Sequence, residues 1–373
     1  MDYNLIKKYP LILEDMRISR SYIGGTLLDK WKGISNDKET NMCEEWHMSV
    51  IEVQNIDSKP GEGLSQVKLP DGSCVTLRDI IASNPSAFLG KEYVKKVGTE
   101  AGLGLRTGDS VVRLSLQAHP NPEDAERFLN FPRGKSEAWY IVETRGEVNG
   151  EKPYVRIGFK NGITKQKIRD MFFDEDVKGI EDSMHKILIN KGDVILVNSG
   201  MPHAMGPGSM FLEVADACDF TFKLERMMPT RPLEDMEMHY GIGFDNMLEC
   251  IDYTTYTEEE IRALVLKTPT LVETTNSSKV YKLFGYDSTP RFTMYKYVIN
   301  GEYVMESTGQ YKAAVAIYGN GTIKASDGYE TEFRQGQGVF LPADFGKITF
   351  NGNFTFICFD SEQINSSSYT INS

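Results

Sequence analysis

Apolar residues in this chain gather in short runs rich in Val, Ile, Tyr and Phe, and glycine-bearing turns separate one run from the next. The clearest runs are Val111–Leu116, Ala138–Glu143, Val194–Asn198, Phe292–Ile299, Ala313–Tyr318, Val339–Leu341 and Phe354–Phe359. β-Branched and aromatic side chains suit a pleated, half-buried surface, so the pattern predicts a mostly β protein, a sandwich or barrel. Helical signals are few and short. Leu77–Ser83 follows Thr76, whose hydroxyl can cap a helix, and Glu92–Val97 comes soon after. Pro122–Leu129 opens after Asn121 with acids in its first turn, where they complement unpaired N–H groups. Thr257–Leu266 carries Glu258, Glu259 and Glu260 in the same position.

The polar stretches Thr254–Glu260 and Thr268–Ser278 set the expected division of the chain. A larger block covers residues 1–255, a helical linker 256–269, and a C-terminal block of ordinary domain size 270–373. A glycine turn feeding an apolar strand occurs twice, once as Lys191-Gly192-Asp193 before Val194–Val197 and again as Gln335-Gly336-Gln337 before Gly338–Leu341. Turns of this kind, leading through a strand to a Pro- or His-bearing loop, are typical of small double-stranded β-barrels. Two related barrels are therefore expected, with His203 standing opposite Lys347.

Composition narrows the functional class. The chain has 373 residues, 40% hydrophobic and 25% charged, with a net charge of -12. Nucleic acid is an unsuitable partner, because phosphate binding needs a basic face. No stretch approaches the ~20 apolar residues of a membrane span, and the N-terminal segment lacks the pattern of a secretory signal. The five cysteines are scattered and form no C-x-x-C pair. A disulfide framework and a cysteine zinc site are disfavoured, and the cytoplasm is the expected location. A small anionic substrate would need a local positive patch against the overall field.

All five histidines (His47, His119, His185, His203 and His239) precede residue 240, so an imidazole-based metal site belongs to the N-terminal block. Ser115-Leu116-Gln117-Ala118-His119 sits at a predicted strand end, where alternate residues share a face and Ser115, Gln117 and His119 converge. Lys135 and Glu137 share a face by the same rule. A carboxamide, an imidazole and a carboxylate form a mixed N/O set suited to Zn²⁺, and also to Mn²⁺ or Co²⁺. His203, in Met201-Pro202-His203, is a candidate fourth ligand. Three or four protein ligands with room for substrate oxygens suit a catalytic site. Taken singly, a strand histidine is more often a hydrogen-bonded structural residue, and Lys135 or Glu137 a surface charge; the convergence of three segments carries the metal reading.

These residues also match a family. Ser115-Leu-Gln-Ala-His-Pro120, Gly134-Lys-Ser-Glu-Ala-Trp-Tyr-Ile141 and Asn198-Ser-Gly-Met-Pro-His-Ala204 resemble the type I phosphomannose isomerases of the cupin superfamily. Leu11–Leu13 with Gly24-Gly25, Cys43-Glu44-Glu45-Trp46 and Gly336–Phe350 extend the resemblance over most of the chain. It implies a metal-binding cupin domain over 1–255 and a metal-free cupin-like barrel over 270–373. It places Gln117, His119, Glu137 and His203 on four ligands of one divalent metal, zinc first. It places Ser115 and Lys135 beside the substrate's phosphate, with Lys135 also a catalytic candidate. The implied reaction interconverts mannose 6-phosphate and fructose 6-phosphate through a cis-enediol.

The match departs from the family where substrate would sit. Arg106 stands in place of a lysine, Ile23 in place of a tryptophan, and Cys218-Asp219-Phe220-Thr221-Phe222-Lys223 puts a lysine in place of the family's catalytic arginine. Lysine keeps the charge and loses the planar fork. Lys223 is thus a catalytic candidate, Arg106 and Glu213 substrate-binding candidates, against plainer readings as a solvated lysine and an ion-paired acid. The same reaction on a different sugar or sugar phosphate, or a metal-binding sugar sensor without catalysis, stands as the alternative. A monomer or homodimer is expected.

Overall fold

The structure is a computed structural model and describes residues 3–69, 71–228 and 231–364. Its centre is a seven-stranded antiparallel sheet. The strand order is Leu266–Lys267, Val194–Val197, Glu137–Thr144, Ser209–Asp216, Leu103–Ser110, Glu44–Met48 and Arg17–Ile18. Both faces of this sheet are covered. Trp139 and Ile141 enter one core with Val155, Ile157 and Met205 of a second sheet. The intervening Ala138, Tyr140 and Val142 pack instead with Leu283, Val315 and Phe340 of a third, and with Phe292 in the loop before its strand Met294–Glu306. Period-two alternation thus sends Glu137, at the strand's start, to the same side as Trp139.

The second sheet runs Met184–Leu188, Tyr154–Lys160, His203–Met205, Gln117–Ala118, Phe222–Lys223, with Thr255–Tyr256 added parallel to Tyr154–Lys160. It faces the first across the core of Trp139 and Ile157, with Ile261 and Val265 of the helix Glu258–Val265 closing one side. The two layers form a jelly roll of facing sheets instead of a single closed ring, as the mostly β, cupin-type expectation requires in its essentials. The third sheet has eight strands and is built chiefly from residues 270–360; the short strand Leu11–Ile12 joins its edge beside Gly338–Leu341.

Several sequence expectations hold closely. Thr76 caps Leu77–Ser83 through Asp79 N, and Asn121 caps Pro122–Leu129 through Asp124 N. The two repeated turns are alike in conformation: Gly192 and Gly336 both have positive φ, 93° and 82°, and each feeds a four-residue strand. The expected strand Val111–Leu116 is a correction. The strand lies earlier, at Leu103–Ser110, and residues 111–116 form a connector to the two-residue strand Gln117–Ala118. Leu103–Ser110 reads LGLRTGDS, polar and glycine-broken, yet every residue is buried because a sheet covers each face. Val111–Leu116 is pinned as a loop by Val111 N to Ile23 O and Leu114 N to Met205 O.

Candidate active site

Gln117 and His203 are cross-strand partners in the second sheet, and Glu137 opens the facing strand of the first. His119 follows the strand Gln117–Ala118 and turns back toward them. Glu137 Oε2 lies 3.2 Å from His119 Nε2, and Oε1 lies 3.1 Å from His203 Nε2. Gln117 Nε2 is 3.1 Å from His203 Nε2. The ligand atoms of His119, Glu137 and His203 all lie within 4.8 Å of one another, and all three residues are buried.

The N–H groups of both imidazoles face away from Glu137. His119 Nδ1 donates to Phe220 O at 2.9 Å, and His203 Nδ1 donates to Met201 O at 2.8 Å. Neutral imidazole carries one N–H, so each Nε2 presents a lone pair inward. Burial, and then Lys135, lower the His119 pKa to about 4, which keeps that ring neutral. His119 Nε2 and both Glu137 oxygens have no hydrogen-bond partner although fully buried. Lys135 Nζ approaches Glu137 Oε2 to 2.7 Å, but off the direction a hydrogen bond needs. Buried acceptors facing one another without a proton between them are costly unless a cation sits among them. Gln117 adds a fourth donor: Ser115 Oγ donates to its Oε1 at 3.0 Å, and rotation of the amide exchanges the oxygen for the nitrogen. Two imidazole nitrogens, a carboxylate and a carboxamide fit one divalent metal ion, and the carbonyl bonds to Nδ1 are the supports metal-ligating histidines require.

Around the cluster runs a cleft lined by Ser115, Lys135, Glu213, Arg106, Lys223 and Arg20 among others. Lys135 Nζ lies between Glu137 and Glu213, 3.2 Å from the latter's Oε1. Burial favours the neutral amine, but Glu137 and Glu213 outweigh it and raise the Lys135 pKa. For Glu137, burial works upward while Lys135 and His119 hold the carboxyl well below the usual range. Glu213 goes the other way, pushed up by burial and by Glu137. Arg106 is spanned by Glu213 at 3.2 Å and Asp219 at 2.8 Å, with its guanidinium over the Trp46 ring.

Lys223 differs from its cationic neighbours. Its ammonium donates to the backbone carbonyl of Glu237 at 3.0 Å and, among the described residues, meets no carboxylate within ion-pair distance. Burial, and then Arg20, bring its pKa down to about 8. Arg20 itself was not singled out from the sequence: it holds both oxygens of Asp219 at 3.1 Å and lies 3.4 Å from Glu44. Ser19-Arg20-Ser21 has neither period nor motif, so nothing local marks it. Tyr240 and Arg231, also in the cleft lining, escape sequence reading for the same reason.

Residues 286–360 match the family described as mannose-6-phosphate isomerase, cupin domain. The chain is 24% identical over 349 residues to a probable mannose-6-phosphate isomerase, GmuF, of Bacillus subtilis, covering 94% of this chain and 98% of that protein. It is 26% identical over 257 residues to a mannose-6-phosphate isomerase of Streptococcus mutans, covering 67% and 71%. Its fold matches the crystal structure of the mannose 6-phosphate isomerase from Bacillus subtilis with a TM-score of 0.72 at 20% identity, over 94% of this chain and 99% of that one. A phosphomannose isomerase from Salmonella typhimurium matches with a TM-score of 0.69 at 14% identity, over 95% and 100%.

Proposed function

We propose that the chain is a member of the mannose-6-phosphate isomerase family of the cupin superfamily and that it interconverts mannose 6-phosphate and fructose 6-phosphate as a zinc-dependent aldose–ketose isomerase. The observation that carries this reading is the buried cluster of His119, Glu137 and His203, with Gln117 beside it and the His119 Nε2 and Glu137 oxygens without a hydrogen-bond partner, opening onto a cleft lined by Lys135, Arg106 and Lys223 among others. A bound divalent ion supplies Lewis-acid polarisation of neighbouring sugar oxygens and so lowers the cost of charge that develops on them.

The chain's own residues account for the rest. Isomerisation through a cis-enediol moves a proton between C1 and C2, which requires a positioned acid–base group beside the sugar. Lys223 fills that role: its ammonium is held by a backbone carbonyl and is open to a substrate partner. Lys135, kept charged by two carboxylates, steadies negative charge, and the Ser115 hydroxyl shares the anion with it. Arg106 and Glu213 brace each other and Lys135 at the cleft wall.

A coupled assay over a panel of aldoses, phosphorylated and not, tests the assignment. Turnover of mannose 6-phosphate well above the others supports it. The presence of Lys223 and Arg106, where the family resemblance places arginine and lysine, favours a second reading: the same reaction on another sugar phosphate. Preference for a different sugar in that panel would select it, and no turnover of any aldose by the metal-loaded protein would remove both.

A further inference from the structure

The segment that carries Lys135 and Glu137 is gripped from the C-terminal half of the chain. Asp216 ends the strand Ser209–Asp216 and is buried. Its Oδ2 accepts from Ser136 N at 2.9 Å, and its own N–H donates to Ser136 O at 3.0 Å. Ser136 lies between Lys135 and Glu137, so Asp216 fixes the backbone from which both side chains project. The other oxygen, Oδ1, is taken by Arg291, through Nε at 2.8 Å and Nη2 at 2.6 Å. Arg291 stands just before the strand Met294–Glu306 of the third sheet. On the other flank, Arg133 donates to Glu362 Oε1 at 2.7 Å, and Tyr93 donates to the second oxygen of Glu362 at 3.0 Å.

We propose that Arg291 is a positioning residue for the metal centre, acting through Asp216 and the Ser136 backbone to set Glu137 and Lys135, with Glu362 and Arg133 as the second anchor. The inference rests on the metal site proposed above. Without Arg291 the buried Asp216 loses the partner of one oxygen and turns or protonates to recover one, and its hold on Ser136 N loosens. Groups that orient metal ligands in this indirect way typically contribute tenfold to a hundredfold in metal affinity or activity. The third sheet thereby acts on the metal centre while supplying none of its ligands.

General loosening of the contact between the sheets is distinguished by a second variant. Tyr318 donates to Val142 O at 2.7 Å, at the far end of the same strand that begins with Glu137. Tyr318→Phe removes a bond between the same two sheets without touching Ser136. The experiment measures zinc affinity of the full chain by competition with a chromogenic chelator, together with kcat/KM, for the parent, Arg291→Met, Arg291→Lys and Tyr318→Phe. We expect roughly tenfold or greater loss of zinc affinity in Arg291→Met, partial recovery in Arg291→Lys, and parental affinity in Tyr318→Phe. Parental affinity in both Arg291 variants overturns the inference, as does an equal loss in Tyr318→Phe. If Arg291→Met does not fold, the lysine variant decides, a several-fold loss supporting the inference and no loss overturning it. A parent that binds no zinc removes the metal reading and this inference together, whereas a zinc-binding parent with unaffected Arg291 variants removes this inference alone.

Discussion

Lys223 shows how little of a side chain's role follows from its residue type. A lysine after a strand is ordinarily solvated, yet this one is mostly enclosed by the cleft and bonded to a carbonyl. Removing it costs one hydrogen bond and no ion pair, so Lys223→Ala is expected to cut kcat by ~10²–10⁴-fold while the urea midpoint stays near that of the parent. Loss of activity in step with loss of stability would point to a structural lysine instead. Lys223→Arg restores charge with a planar fork and is expected to turn over mannose 6-phosphate faster than Lys223→Ala does. At this scale the clustering of Gln117, His119, Glu137 and His203 was legible, because each sits in a short motif at a strand end. Arg20 was not: its importance comes from Asp219, remote in sequence, and no spacing rule connects them.

At the scale of elements, sequence reading located strands and misjudged their extent. The predicted runs Phe292–Ile299, Ala313–Tyr318 and Phe354–Phe359 leave out the pairs Asn300-Gly301, Asn320-Gly321 and Asn351-Gly352, of a kind that favours turns. In the fold they lie inside the long strands Met294–Glu306, Lys312–Ala325 and Lys347–Asp360, with Gly301 and Gly321 both in register with Gly352. Gly352 has φ of 140°, and a Cβ on it would come within 2.9 Å of Gly321 Cα, so the neighbouring backbones approach closely where no side chain intervenes. Gly352→Ala is expected to destabilise by roughly 1–3 kcal/mol in urea unfolding with little change in slope. A neutral result would mean that this close approach does not depend on glycine. Capped helices were legible at their starts, as Thr76 and Asn121 show. Lys165–Phe173 was not, because it buries only Ile168 and Phe172 and shows too short a stripe.

For the whole molecule, the likeness of the turns at Gly192 and Gly336, each feeding a four-residue strand, was legible in the sequence. The burial of one sheet between two others was not, since a strand covered on both faces loses the alternation that marks it. His47 reports on that packing. It lies on the strand Glu44–Met48, bonds Thr107 Oγ1 at 2.7 Å, and its backbone abuts Gly338 of the third sheet. Burial, and then Lys32, lower its pKa to about 3. The folded chain therefore binds fewer protons than the unfolded one between that value and the ordinary 6.5, and stability falls as pH falls through this window. Between pH 7 and 4.5 the parent is expected to lose roughly 2–3 kcal/mol more than His47→Gln does, read as the difference of two unfolding free energies. Equal losses would show that His47 titrates normally. One titration decides whether a single metal held by Gln117, His119, Glu137 and His203 drives the isomerisation. Chelator-stripped protein is titrated with zinc while isomerisation of mannose 6-phosphate is followed. Activity is expected to rise from near zero and saturate at one zinc per chain, with His119→Ala folded and inactive throughout. Full activity before zinc is added, or an active His119→Ala, would contradict it.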